Sequence, residues 1–187
     1  MTDTLAVGIA GHRFLVDLPR LEAGIEEALR RLEAAFPGRS LIAVSSLAEG
    51  ADRLVARAIL RREGARLVVP LPLPEDEYVQ DFATDESRRE FGALLSRATQ
   101  VIQLPPAPTR EAAYEQGGVY VVEHADALIA LWDGQAAQGQ GGTGAIVRRA
   151  LERGIPVCHI KTGNRKPGTN EATTLGEEQG KLVVHNL

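Results

Sequence analysis

The stretch "DALIALWDGQAAQGQGGTGAIVRRALERG", from Asp126 to Gly154, contains the three parts of one unit of an α/β fold. It opens with an apolar run that lacks the alternation of a half-exposed strand, which predicts a strand buried on both faces. A glycine-rich segment follows, and we predict a helix after it, from about Gly144 to Arg153. The stretch therefore predicts a buried strand, a glycine-rich loop and a helix, in that order.

The rest of the chain repeats this alternation of strands and helices. Short apolar runs such as "LAVGIAG" (Leu5–Gly11) and "LIAVSSL" (Leu41–Leu47) predict further buried strands. Between these two runs, apolar residues recur with the spacing of one helix face, at Leu21, Ile25, Leu29 and Leu32. The whole pattern predicts an α/β fold with a three-layer, doubly wound, mainly parallel sheet of six to seven strands, Rossmann-like, in a single domain over residues 1–187.

Composition and charge limit the possible partners. The 187 residues are 44% apolar, enough for a buried core, and their formal net charge of −4 argues against a broad nucleic-acid surface. The single cysteine, Cys158, excludes an internal disulfide, and no Cys/His cluster suggests zinc. No apolar run is long enough to span a membrane, and no signal core follows the N-terminus. We therefore expect a cytoplasmic protein with no membrane partner, no metal and no cofactor.

Ligands of doubly wound sheets bind beyond the carboxyl ends of the strands, so the residues just after each strand are the candidates for a site. The first strand is followed by Gly11, His12 and Arg13, a tight turn and a cation that would suit an anion; a plain turn with a solvated arginine is the alternative. The second strand is followed by a turn that contains Ser45 and Ser46. Their hydroxyls could donate to a phosphate or a ribose, or could simply cap the next helix.

Acidic, basic and aromatic residues complete the candidate set. Glu49 lies at the start of a helix, where it could contact the ligand or favour the helix dipole. Arg110 lies in the first turn of another helix, where the dipole disfavours a cation; this indicates a ligand, and a surface ion pair is the alternative. Trp132 and Asp133 end the fifth strand and could meet a base and a ribose hydroxyl, although Trp132 could instead cap the core. Glu115 is a second candidate for the ribose.

The glycine-rich loop is the most informative part of the chain. Gly139, Gly141 and Gly144 satisfy G-x-G-x-x-G, but after the fifth strand instead of the first, and the next strand ends in Lys161 without a carboxylate. A nicotinamide-dinucleotide site is therefore not indicated, nor is a Walker A site, which needs lysine and a hydroxyl residue after the glycines. A flexible loop without ligand is the alternative to a phosphate cradle. The cradle would consist of backbone N–H groups, with the Thr143 hydroxyl as a further donor, from Gly141, Gly142, Thr143 and Gly144.

Two segments carry a resemblance to a known family. "SSLAEGAD" (Ser45–Asp52) resembles the S-G-L-A-x-G-I-D turn of the DNA-processing protein DprA. "DALIALWDG" followed by "GGTG" resembles the D-A-F-I-A-L-P-G-G-x-G-T-x-x-E segment of the lonely-guy phosphoribohydrolases. On these motifs the chain is similar to the SLOG superfamily of Rossmann-like nucleotide-binding domains. The resemblance implies a nucleotide ligand, a sensor or regulatory role and, in the lonely-guy branch, a homodimer.

The chain departs from the lonely-guy enzymes at their catalytic positions. Those enzymes release a base from a nucleoside monophosphate with an arginine and a glutamate. Here the motifs place Ile146 at the position of the glutamate, and Gly117 and Gly118 at the position of the Arg–Lys pair on the preceding helix. None of these residues can protonate a leaving base or stabilise an oxocarbenium ion. We therefore predict that a nucleotide or nucleotide-derived ligand is bound without lonely-guy-type hydrolysis.

Two other functions stay open at this point. One is a nucleoside-monophosphate phosphoribohydrolase with non-standard carboxylates, for which Glu49, Asp52, Glu115 and Asp133 are the candidates. The other is a DprA-like module that binds single-stranded DNA, which the acidic balance of the chain disfavours. The expected partner is thus a small-molecule nucleotide, with nucleic acid disfavoured.

Overall fold

The computed structural model describes residues 3–136 and 142–187. The strands in this part of the chain are β1 (Thr4–Gly11), β2 (Ser40–Val44), β3 (Arg66–Leu71), β4 (Gln100–Gln103), β5 (Ala127–Trp132), β6 (Val157–Lys161) and β7 (Leu182–His185). The helices are α1 (Leu18–Ala35), α2 (Ala51–Ile59), α3 (Glu75–Tyr78), α4 (Asp85–Leu95), α5 (Arg110–Glu123) and α6 (Thr143–Glu152).

The seven strands form one sheet in the order β4-β3-β2-β1-β5-β6-β7. All neighbouring strands are parallel except β6 and β7, which are antiparallel. The predicted fold class is therefore confirmed, and the sheet has seven strands. Of the described helices, none has both the length and the apolar character needed to cross a membrane.

Two apolar clusters cover the two faces of the sheet. The larger one joins α1, α2 and α4 to strand residues such as Val7 and Ile9, and it contains the four α1 residues that the sequence places on one helix face. The smaller one joins α5 and α6 to Ala10 of β1 and Ala130 of β5. Because successive strand residues point to opposite faces, Ile9 and Ala10 belong to different layers. Burial on both faces explains why the central strands β1, β5 and β6 show no polar alternation in the sequence.

The strand order reverses direction between β1 and β5. From β1 the chain proceeds outward through β2, β3 and β4, then returns along α5 to start β5 on the other side of β1. The two strands pair in parallel up to Gly11 and Leu131, and the N–H of His12 donates to the carbonyl of Leu131 over 3.1 Å. In such sheets the crevice beyond this reversal is the usual position of a ligand.

The turn before α2 packs against the loop after β1. The N–H of Ala51 donates to the carbonyl of His12 over 3.1 Å. Gly50 has φ +81°, and a Cβ added there would overlap with the carbonyl oxygens of His12 and Arg13. Gly50 is therefore required both by its backbone conformation and by the close approach of the neighbouring loop.

Replacement of Gly50 by alanine tests this close approach, with Gly38→Ala as the control for a positive φ in open space. Gly38 has a similar φ of +76°, but a Cβ there meets nothing within 4 Å. Gly38→Ala should cost about 1–2 kcal/mol for the left-handed conformation alone. Gly50→Ala should cost about 1–3 kcal/mol more, because the loop after β1 must move and because the Gly50 backbone (φ +81°, ψ −119°) lies outside the left-handed region that alanine can adopt. Urea unfolding measures both losses, and equal losses would contradict the packing argument.

Candidate functional site

His12 and Asp133 meet at the reversal point, immediately after β1 and β5. The backbone N–H of Asp133 donates to Nε2 of His12 over 3.1 Å, and Oδ1 of Asp133 lies 3.4 Å from the same nitrogen. A ring nitrogen that accepts a hydrogen bond carries no proton, so His12 is neutral in this arrangement. Burial lowers the pKa of His12, and the nearby Asp133 carboxylate opposes that effect only in part. The two predicted site residues are therefore in direct contact.

Trp132 and the turn after it are held by several internal contacts. The carbonyl of Trp132 accepts hydrogen bonds from Nε2 of His159 (2.9 Å) and from the N–H of Thr162 (3.1 Å). Its indole nitrogen donates to the carbonyl of Gln135 over 2.9 Å, and the N–H of Gln135 donates to Oδ1 of Asp133 over 3.0 Å. The ring also packs beside His159, with 5.0 Å between centroids. The turn after β5 is thus stabilised by hydrogen bonds within it and by contacts with β6 and the residue after it.

Helix α6 starts at the same edge of the sheet without a side-chain cap. Its N-cap residue is Gly142, no side chain in the described part of the chain caps this end, and its first turn contains no acidic residue. The first backbone N–H groups of a helix have no partner within the helix and carry the positive end of its dipole. The predicted phosphate cradle includes the described residues at this helix start, namely Gly142, Thr143 and Gly144. Gly139 and Gly141, also part of that prediction, lie outside the described residues.

Ser45 is buried in the turn after β2 instead of facing the edge of the sheet. Its hydroxyl donates to Oδ2 of Asp52 over 2.8 Å and accepts from the N–H of Leu47 over 3.0 Å. Burial raises the pKa of Asp52 to about 6, against the effect of its hydrogen bonds from Ser45 and from backbone N–H groups. Ser46 is half-buried, and its hydroxyl lies next to Gly117 of α5. Of the two serines, only Ser46 is exposed enough to meet a ligand directly.

Arg53 anchors this turn to α4. Its side chain is 2% exposed, and its Nε donates to the carbonyl of Leu47 over 3.0 Å. One terminal nitrogen donates to the Ser87 hydroxyl (2.8 Å) and pairs with Glu90 (3.0 Å), and the guanidinium lies 4.4 Å from the centre of the Phe82 ring. The other terminal nitrogen has no hydrogen-bond partner among the described residues. The buried guanidinium of Arg53 therefore links the turn after β2 to α4, a role that no motif in the sequence indicates.

Arg13, Glu49 and Arg110 belong to one network of ion pairs around Asp81. Arg13 pairs with Glu49 over 2.6 Å and donates to the carbonyl of Asp81 over 3.1 Å. Arg110 makes a forked contact with the carboxylate of Asp81, with its shortest distance 2.8 Å. Burial would raise the pKa of Glu49, but hydrogen bonds from Ser87, Arg13 and Ala83 outweigh it and lower the pKa. Arg110 therefore forms a surface ion pair, which is the alternative that the sequence left open for it. The Arg13 side chain remains 43% exposed.

Glu115 lies apart from these groups, in a groove between α5 and α6. The groove has a volume of about 300 Å³ and is lined by Glu115 and Val119 of α5 and by Ala145, Ile146, Arg148, Arg149 and Glu152 of α6. Neither His12 nor Asp133 lines it. Ala145, in the first turn of α6, connects the groove to the start of that helix.

The positions that the lonely-guy resemblance assigns to catalysis are adjacent in space and hold no ionisable group. A Cβ added to Gly118 would meet the end of the Ile146 side chain at 2.5 Å, and Ile146 is 5% exposed. Gly117 lies beside Ser46 and Pro72. The space between α5 and α6 at this point is therefore filled by an apolar contact.

The segment after β6, which is rich in polar residues, also reaches the reversal point. Arg165 and Ala172 form an antiparallel bridge, and the Arg165 guanidinium lies 5.4 Å from the ring of Phe14 in the loop after β1. Gln179, 3% exposed, donates to the carbonyl of Val16 over 3.0 Å and accepts from the N–H of Gly163 over 2.9 Å. The loops after β1 and β6 are thus tied together. The turn residues "KPGT" were a signal for this hairpin, but not for its contact with Phe14.

Metal binding finds no support in the residues that the structure describes, since they include no cluster of three or more His, Cys, Asp or Glu side chains that could hold an ion. The chain matches no protein-family model, and no curated protein is significantly similar to it. Among solved structures it is similar to TM1055, an X-ray structure from a structural genomics consortium. The identity is 16%, the alignment covers 84% of this chain and 72% of that chain, and the TM-score is 0.47.

Replacement of Asp52 tests its burial through the pH dependence of stability. Between the ordinary pKa of 3.8 and the folded pKa of about 6, the folded state binds more protons than the unfolded state, so the wild type loses stability as pH rises. Asp52→Asn has no such group. Its free energy of unfolding relative to the wild type should rise by about 3 kcal/mol between pH 3.5 and pH 7. Urea unfolding across this range measures the difference, and a flat difference would show that Asp52 ionises freely in the folded state.

Proposed function

We propose that this protein binds a nucleotide or nucleotide-derived anion at the carboxyl edge of its sheet and acts as a sensor or regulatory protein of the SLOG type. The observation that carries the proposal is the start of α6. This helix begins at the strand-order reversal with a glycine N-cap, no side-chain cap in the described residues and no acid in its first turn. Such a helix end binds phosphate through backbone N–H groups and the helix dipole.

The neighbouring strand ends supply groups for the rest of a nucleotide. Asp133 uses Oδ1 to accept the N–H of Gln135, which leaves Oδ2 to accept a ribose hydroxyl. Arg13 is partly exposed beside the same crevice, and its charge would attract the phosphates although it is paired with Glu49. The half-buried indole of Trp132 is the candidate for contact with a base. In this proposal Ser45 and Arg110 do not contact the ligand. Each of them stabilises a loop near the crevice through its own hydrogen bonds.

An acidic residue placed in the first turn of α6 tests the proposal directly. Ala145→Glu should strengthen the helix by about 0.3–1 kcal/mol, because an acid near the N-terminus is favourable to the dipole. The same charge should repel a phosphate and abolish the thermal stabilisation produced by mono-, di- or cyclic nucleotides. A gain in stability together with a loss of binding cannot come from misfolding.

The matched control is Ala145→Gln, which adds a side chain of the same size without charge. It should keep the ligand-induced shift in melting temperature, and Thr143→Ala should reduce the shift by removing one hydroxyl donor. If no nucleotide stabilises the wild type, or if Ala145→Glu binds as well as the glutamine variant, the helix start is not the anion site.

The contact between Gly118 and Ile146 supports binding without base release. That contact occupies the two positions to which the resemblance assigns the arginine and glutamate of hydrolysis, and neither glycine nor isoleucine can protonate a leaving base. Incubation with each nucleoside monophosphate, followed by chromatography of the products, should show no free base above the uncatalysed level. Release of base that is lost in Asp133→Asn or Glu49→Gln would instead establish an N-glycosidase with non-standard carboxylates.

A further inference from the structure

We propose that His12 is a proton-sensitive positioning residue. Its unprotonated Nε2 accepts the N–H of Asp133 and fixes the turn that leads from β5 toward α6. Protonation of Nε2 replaces this contact by one with the Asp133 carboxylate and strengthens anion binding at the same edge of the sheet. The part that concerns anions rests on the proposed function, whereas the part that concerns the turn stands on its own geometry.

The geometry allows only one protonation state for the observed contact. The Asp133 N–H points at Nε2 of His12 over 3.1 Å, and a protonated Nε2 would present a second N–H to it. The Oδ1 atom of Asp133 lies 3.4 Å from the same nitrogen, so it is the nearest acceptor for a protonated ring. A small movement of Asp133 therefore exchanges an N–H donor for a carboxylate acceptor opposite His12.

This exchange would reach the rest of the turn. Oδ1 of Asp133 already accepts the N–H of Gln135, and the carbonyl of Gln135 accepts the indole N–H of Trp132. Gly134 between them has φ +81°, a conformation that glycine adopts without cost. Movement of the Asp133 carboxylate toward His12 would thus break or bend the bond to Gln135 and change the start of the loop that continues toward α6.

The surroundings of His12 leave Asp133 as the carboxylate that acts on it. From β6, His159 faces it, and burial lowers the pKa of His159 while its Nε2 bonds the carbonyl of Trp132. Lys161 and His185 act on His159, and on the α2 side the carboxylates are already engaged, Glu49 by Arg13 and Asp52 by Ser45. Protonation of His12 therefore changes the charge of the His12–Asp133 pair from −1 to 0 at the edge where an anion would bind.

The turn can be tested without any ligand. In an NMR titration from pH 5 to pH 7.5, the backbone amide of Asp133 should shift with the same midpoint as the ring carbons of His12. In His12→Gln, whose side-chain oxygen can accept the same N–H, the amide of Asp133 should keep its high-pH position throughout. His124→Gln is the control, because His124 stacks on Tyr120 at the far end of α5. If the chemical shift of the Asp133 amide does not change while His12 titrates, the proposed switch is wrong.

The coupling to anions is tested with 3′,5′-cyclic AMP and with sulfate, whose charges stay constant in this pH range. Affinity should rise as the pH falls, by at most about tenfold per pH unit, which is the limit for uptake of one proton, and it should level off below the midpoint of His12 in the free protein. His12→Gln should show a flat profile, and His124→Gln should follow the wild type. Binding that is equally pH-independent in the wild type and His12→Gln would overturn the coupling but keep the proposed function. Absence of binding to any nucleotide or anion would overturn the proposed function, and the NMR response of the Asp133 amide to the titration of His12 would then decide the switch alone.

Discussion

The parallel pairing of β1 with β5 is the constraint on which the rest of the site depends. It continues past the strands through the bond from His12 to Leu131, so two loops that are 120 residues apart in the chain leave the sheet side by side. The contact between His12 and Asp133 exists only because of this register. A shift of one residue would turn every side chain of one strand to the other layer and separate the pair.

Buried polar groups stabilise the turns around the crevice and limit which residues can reach a ligand. Asp52, Ser45 and Arg53 lie behind the turn after β2, and each of them satisfies backbone groups of that turn or of α4. A buried polar group is tolerated when it is hydrogen-bonded, and removal of one partner leaves another unsatisfied. One terminal nitrogen of Arg53 has no hydrogen-bond partner in the described part of the chain. The guanidinium carbon lies 4.4 Å and 5.9 Å from the centres of the Phe82 and Phe91 rings, and this cation–π contact offsets part of the lost hydration.

The fold could be predicted from the sequence because its signals are local and repeated. The central buried strands and the apolar face of α1 each follow from a few neighbouring residues, and the structure contains both. The partners of the candidate side chains could not be predicted in the same way. Arg110 meets Asp81 and Arg13 meets Glu49 across more than 25 residues, and the Arg165 guanidinium lies over Phe14 from the far end of the chain. Such contacts depend on which loops the topology brings together, and no local pattern records them.

The fit of Gly118 against Ile146 also limits how this surface can change. A longer side chain at position 118 would have to displace an isoleucine that is almost completely buried, and a shorter or charged residue at 146 would leave a gap or an unpaired charge beside α5. The two positions are therefore interlocked, so that a functional pair of ionisable residues would require both replacements at once. Either substitution made alone gives a less stable protein, so single steps do not readily replace the apolar contact between α5 and α6.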